Sequence, residues 1–154
     1  MAAMKLKAFL DSHGVRYVSI QHSVAFTASE VAESVHVKGR DFAKTVIVKM
    51  GSVMAMVVLP ASRRIVLHDL RDMLGSAELR LATEAEFRGA FPDCELGAMP
   101  PFGNLYGMPV YVESSLADET EIAFNAGTHS EVIQMAYEDF AELVQPMVLD
   151  FVTT

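Results

Sequence analysis

Two side chains in this sequence stand where they could act on a substrate. Lys44 opens the run AKTVIVK at 43–49, and His129 closes on a cluster of small and hydroxyl residues, NAGTHS at 125–130. If the run is a strand, Lys44 shares a face with Val46 and Val48, which sets one ammonium at the mouth of an apolar surface. Such a charge is costly unless it has work or a partner; the plainer alternative is a strand-end lysine that snorkels to water. Lys49, on the opposite face, is of that plainer kind. NAGTHS combines small residues, hydroxyls and backbone amides between two strands, and its plainer alternative is a polar β-turn.

A third stretch carries no reactive group and is unusual for that reason. Residues 97–109, GAMPPFGNLYGMP, hold three glycines and three prolines and no charge, in a chain of net charge −8. An ordinary surface connection is short and polar. This one must be shaped for something.

Other chemistries lack their signatures. The five histidines at 13, 22, 36, 68 and 129 show no metal-ligand spacing, and there is no Walker loop, dinucleotide glycine fingerprint or nucleophile elbow. We therefore expect neither metal nor cofactor. Cys94, the one cysteine, cannot form an internal disulfide and is expected to be a small buried apolar residue.

The elements that must position these residues alternate between helix and strand. A first helix from Met4 places Leu6, Phe9 and Leu10 on one face and stops at Gly14; RYVSIQH at 16–22 reads as a strand. Thr27 and Glu30 have capping-box spacing ahead of a second helix, as do Thr83 and Glu86 ahead of one ending near Pro92. The β-rich runs 43–49 and 53–59, joined through Gly51-Ser52, predict a hairpin of two central strands. Leu67 to Leu74 reads as helix, 110–113, 121–125 and 131–136 as strands, and 137–144 as a last helix. The result is a mixed α/β layout with an antiparallel hairpin at its middle and helices around it.

Composition bounds the rest. At 154 residues, 51% hydrophobic and 21% charged, the chain suits one compact domain over 1–154. Its longest apolar stretch, 53–60, is too short to cross a bilayer and its N-terminus lacks a signal-peptide layout, so a cytoplasmic address and no membrane partner are expected. All twelve Lys and Arg lie in residues 1–88, net +3, whereas residues 89–154 hold eleven carboxylates and neither Lys nor Arg, net −11. That sign argues against long tracking along DNA or RNA phosphates; any nucleic-acid contact should be small and local, if the acidic half is more than a solvated face.

KTVIVK at 44–49, GAMPP at 97–101 followed by FG, and AGTHS at 126–130, in that order, closely resemble the YbaK and prolyl-tRNA-synthetase-associated editing domain family. The likeness runs on through 21–45 and 133–146, and so covers nearly the whole chain. The resemblance implies a mostly antiparallel β core with surrounding helices and a cytosolic, metal-free, free-standing hydrolase. Its expected reaction is deacylation of mischarged tRNA, most often proline tRNA carrying alanine, cysteine or a similar small residue. The partners it implies are the tRNA acceptor end and a prolyl-tRNA synthetase; DNA is not among them.

The same resemblance assigns roles. Lys44 is the family's lysine, Gly97 to Pro101 its G-x-x-x-P loop with Pro100 as an extra proline, and His129 matches the later polar loop. Lys44 would clamp the terminal phosphate or the amino-acid carbonyl, and as an ordinary lysine it is protonated and no general base. Gly97 would let backbone approach the substrate without a Cβ, while Ala98, Met99, Pro100 and Pro101 present preset amides and carbonyls. Phe26, Val46 and Met99 would wall a small pocket, with Thr45, Gly127, Thr128 and Ser130 beside it. With no obvious side-chain base, a ribose hydroxyl of the substrate would help to position water. A silent amino-acid or synthetase-binding module and a small-ester hydrolase are the two alternatives.

Overall fold

The structure, a computed structural model, describes residues 2–23, 25 and 27–151. Helix α1 (Ala2–Ser12) buries Leu6 and Leu10 and ends before Gly14, whose φ of +67° is the left-handed conformation expected after a helix. Strand β1 (Tyr17–Gln21) leads to α2 (Ala28–Ser34), and Thr27 and Glu30 form the full reciprocal capping box. The hairpin of β2 (Ala43–Met50) and β3 (Val53–Pro60) turns at Gly51, φ +63°. Then follow α3 (Leu67–Leu74), β4 (Arg80–Leu81), α4 (Glu84–Phe87), β5 (Val110–Glu113), α5 (Ser114–Ala117), β6 (Glu121–Asn125), β7 (Glu131–Ala136), α6 (Tyr137–Val144) and β8 (Met147–Leu149).

The strands form two sheets. One has the order β1-β7-β6 and is wholly antiparallel; the other has the order β4-β2-β3-β5-β8. Both hairpin strands are central, as expected. Four of the six pairings are antiparallel, and β5 supplies the two parallel ones, to β3 and β8. A parallel bridge between Phe42 and Ala123, with the Ala123 N–H donating to the Asp41 carbonyl at 3.0 Å, joins the start of β2 to β6 as a seam between the sheets.

The main core lies between the sheets and α1 and α6. It contains Ile47, Met56 and Val58 from the hairpin, Phe124 and Ile133 from the other sheet, and Phe140 from α6. Strand alternation puts Val48, Val57 and Leu59 on the reverse face of the hairpin, where they pack with Leu70 of α3 and Phe151.

Lys49 does not simply reach water. Its ammonium lies 3.0 Å from Glu86 Oε2, while Arg80 donates to both Glu86 oxygens at 2.7 Å. The Arg80 guanidinium, with the Thr83 amide and Lys49, holds the Glu86 carboxyl well below the usual carboxylate range. A lowered folded-state pKa contributes stability above the unfolded value and loses it as pH falls. Glu86→Gln should therefore lower stability at pH 7, and its gap to the parent should narrow once pH drops below about 4. Urea unfolding at the two pH values measures this; a gap unchanged by acid would show that the cluster is not ionic in effect.

Candidate functional site

The turn from β6 to β7 is built on Gly127, whose φ is +101°, and closed by the Ala126 N–H donating to the Glu131 carbonyl at 3.0 Å. A second segment is laced to it. The Glu95 N–H donates to the Gly127 carbonyl at 2.8 Å, and the Gly127 N–H donates to the Ala98 carbonyl at 2.9 Å. Side chains complete the joint: the His129 N–H donates to Glu95 Oε1 at 2.7 Å, and His129 Nε2–H donates to the Leu96 carbonyl at 2.7 Å. That bond places a proton on Nε2. The Thr128 and Ser130 hydroxyls lie 3.4 Å apart.

Gly97, Ala98, Gly127, Thr128, His129 and Ser130 are thus brought together. Beside them opens a depression of about 500 Å³, lined by Cys94, Glu95, Gly127, Thr128 and Ser130 among others. Gly97 has a φ of +83°, and a Cβ there would sit 3.5 Å from His129 Cε1, an ordinary contact. The glycine is needed first by the backbone, since L side chains rarely adopt that conformation.

The loop is bare of charge for a reason that composition does not show. Ala98, Met99, Pro100 and Pro101 are all buried, and Phe102 is fully enclosed with its ring against Phe9, Phe124 and Phe140. Met99 packs in the main core. Residues 98–102 are interior structure whose first turn reaches the site, so the loop's lack of charge is also ordinary core chemistry.

Lys44 opens elsewhere. With Val46 it lines a separate depression of about 260 Å³, between Leu59, Arg64, Ile65 and Leu67, which shares no lining residue with the one beside Thr128. Burial, reinforced by the neighbouring Arg64 charge, holds the Lys44 ammonium pKa below the usual lysine value. Thr45 turns to the opposite face; its hydroxyl is buried and makes no hydrogen bond among the described residues. Phe26 lies outside the described residues.

The seam relates the two regions. Phe42 and Ala123 share one core cluster, under α2. Two residues beyond that parallel bridge, Lys44 and Asn125 continue the same faces by strand alternation, just before β6 enters the turn that carries His129. Asn125 is buried, and its side-chain oxygen makes no hydrogen bond among the described residues. Buried polar atoms of this kind ordinarily have a partner.

Sequence reasoning missed Glu95, Asn125 and Arg64. Asn125 was visible as the first residue of NAGTHS, and Glu95 as a carboxylate two positions before Gly97; nothing local distinguishes Arg64 from Arg63. Cys94 is half-buried instead of enclosed, with Sγ 3.4 Å from the Tyr106 hydroxyl. Burial pushes its thiol pKa up, which disfavours the nucleophilic thiolate.

The arrangement offers fixed backbone dipoles, hydroxyls, an oriented imidazole and, across the seam, a partly desolvated cation. Among the described residues no group of His, Cys, Asp and Glu could hold a metal ion. No helix among them is long and apolar enough to cross a membrane.

The chain is 26% identical over 145 residues to the prolyl-tRNA editing protein ProX of Acetoanaerobium sticklandii, covering 90% of this chain and 87% of that protein. A solved structure of a candidate trans-editing enzyme for prolyl tRNA synthetase superposes with a TM-score of 0.84 at 21% identity, over 99% of this chain and 98% of that one. Another, of a hypothetical protein, gives 0.86 at 18% identity, over 97% and 99%. These two show a shared fold. Residues 22–143, which run from before α2 into α6 and include both depressions' key residues and the seam, match the model of the aminoacyl-tRNA editing domain, and the chain belongs to that family.

Proposed function

We propose that the protein is a metal-independent aminoacyl-tRNA deacylase acting in trans, and that its substrate is proline tRNA carrying a small wrong amino acid such as alanine or cysteine. The observation that carries this reading is the lacing of residues 95–98 to 127–129 by four hydrogen bonds within a chain of the editing family. Hydrolysis of an aminoacyl ester requires donors that are in place before the tetrahedral oxyanion forms. The amides of Ala98, Gly127 and His129 are committed within the loops, whereas those of Gly97 and Thr128 make no hydrogen bond among the described residues. Gly97 and Thr128 are therefore the donors assigned to the oxyanion.

His129 holds the two loops in register. The reaction adds water across the ester: its oxygen bonds to the carbonyl carbon, the ribose oxygen leaves with a proton, and a free amino acid and intact tRNA result. Selectivity for a small residue would come from steric rejection of larger ones, because one methylene changes binding by only about 1–3 kcal/mol. The tRNA acceptor end and prolyl-tRNA synthetase are the partners this reading supplies, in the cytoplasm.

A panel of mischarged tRNAs tests it. We expect release of alanine or cysteine from proline tRNA, with correctly charged proline tRNA spared. In the same assay Glu95→Gln should lower kcat/KM by about tenfold, near 1.4 kcal/mol, as the carboxylate that fixes the His129 amide is weakened. Failure to deacylate any tRNA, with turnover of a small amino-acid ester, would replace this reading with a small-ester hydrolase. Binding of amino acid without turnover would leave a silent module.

A further inference from the structure

The three-stranded sheet leaves one margin open. Its order is β1-β7-β6, and the outer side of β6 is met by the bridge to Phe42, but no strand pairs the outer side of β1 among the described residues. The other sheet ends on β4 and β8, of two and three residues, whereas β1 has five. Register fixes which of its groups face outward. The His22 N–H donates to the Ser130 carbonyl at 2.9 Å and the Ala126 N–H to the Glu131 carbonyl at 3.0 Å, so even-numbered residues of β7 bond to β1 and odd-numbered ones to β6. The N–H and C=O groups of Tyr17, Ser19 and Gln21 therefore point away from β7, and they take no backbone partner among the described residues. Open edges are ordinarily blunted by lysine, proline or a bulge. The segment YVSIQ has neither lysine nor proline, and its pairing with β7 runs unbroken over all five residues.

Beside that edge lies a depression of about 880 Å³, which shares no lining residue with the one beside Thr128 or the one at Lys44. Strand alternation puts Val18 and Gln134 on the same face of the sheet as Ile20 and Val132. Ile20 and Val132 pack under α2, whereas Val18 lies outside that cluster and is 57% exposed in mid-strand. The charged residues lining the depression are Asp11, Arg16, Glu121 and Asp139, and of these Arg16, Glu121 and Asp139 take part in no ion pair among the described residues. Three carboxylates against one guanidinium make the surface acidic. It selects an occupant that is extended, to complete the edge, and that alternates apolar with cationic side chains, to cover Val18 and to meet Glu121 and Asp139. A second copy of the chain fits poorly, because it carries the same carboxylates at the same place and a net charge of −8. We propose that β1 and the depression beside it dock an extended basic segment of a partner protein, which adds to the sheet as a fourth strand. Main-chain hydrogen bonds at Tyr17, Ser19 and Gln21 supply the affinity, and the depression supplies the choice of sequence. The surface contains none of the residues assigned to hydrolysis, so the inference stands independently of the deacylase reading.

The probe is a short synthetic peptide alternating lysine and valine, capped at both ends, titrated into the intact protein and followed by amide chemical shifts and hydrogen exchange. We expect shifts at 16–21 and 134–136 and slowed exchange at Tyr17, Ser19 and Gln21, while Val18 and Ile20, whose amides already bond to β7, change little. The same peptide with glutamate in place of lysine should bind about tenfold more weakly or worse, and the lysine peptide should lose about as much against Glu121→Lys. Val18→Lys, a change at an exposed position, should weaken binding to a similar degree while keeping the parent's melting temperature. Methylating the peptide's backbone nitrogens along the side that meets β1 should abolish the slowed exchange. Unchanged exchange at the three outward amides with millimolar lysine peptide, or equal binding of the methylated peptide, would overturn strand addition. Equal binding of the glutamate peptide would overturn the basic partner. Protection of the same amides that grows with protein concentration alone would assign the edge to a second copy instead.

Discussion

Gly103→Ala should destabilise the protein by at least about 2–3 kcal/mol, the scale of overpacking in a well-filled core. A Cβ at this position would lie 2.4 Å from the Met108 carbonyl oxygen and 2.6 Å from Val110 Cγ2. The first of these is backbone and cannot swing aside. Moving it disturbs the segment that leads into β5, which pairs with both β3 and β8. Since about 1 kcal/mol shifts the melting temperature of a chain this size by about 2–4 °C, the variant should melt about 4–12 °C lower. Gly89→Ala is the control: nothing lies within 4 Å of its Cβ, and its φ is not in the left-handed region. It should be neutral or slightly stabilising through the unfolded state. If both variants melt alike, the close approach at Gly103 does not govern stability.

His129→Ala should reduce deacylation by about a hundredfold, comparable with loss of an oxyanion-hole donor or a positioned proton-transfer group. The ring is buried, and its Nε2–H holds the Leu96 carbonyl one residue before Gly97. Removing it frees the Gly97 amide from its fixed direction. Stability should fall as well, by about 1 kcal/mol, for the part-buried carbonyl left without its donor. Substitution by glutamine or asparagine, which offers an amide donor at the cost of the imidazole, separates the two effects. Recovery of melting temperature without recovery of kcat would assign the ring a role beyond packing. Full activity in the alanine variant would remove His129 from the reaction.

How much of this was legible in advance depended on whether the signal was local. The two capping boxes, the Gly51 turn and the strands of the hairpin follow from neighbouring residues, and all stand where expected. β4 has two residues and β8 three, too few to display a strand's alternation, and both exist because a distant strand offers an edge. Ser114–Ala117 is a single helical turn whose N-cap is the Glu113 side chain, accepting from the Ser115 amide at 2.8 Å. Glutamate is not among the residues that usually announce a cap. For the site, the turn glycines and the Gly-Pro loop are local features and could be read. That Glu95 reaches the His129 amide, that Lys44 faces Arg64, and that 98–102 lies inside the core are matters of long-range pairing, which residue spacing does not contain.

The burial of residues 98–102 has a consequence for how the protein behaves when warmed. A binding loop on a surface can melt by itself, and selectivity then loosens well below the temperature at which the rest unfolds. Here Phe102 is wedged among the rings of α1, β6 and α6, so the segment that shapes the site opens only when the main core opens. Hydrogen exchange at Ala98, whose amide is bonded to the Glu95 carbonyl, should therefore track global unfolding, and the preference among amino acids should stay sharp until activity itself collapses.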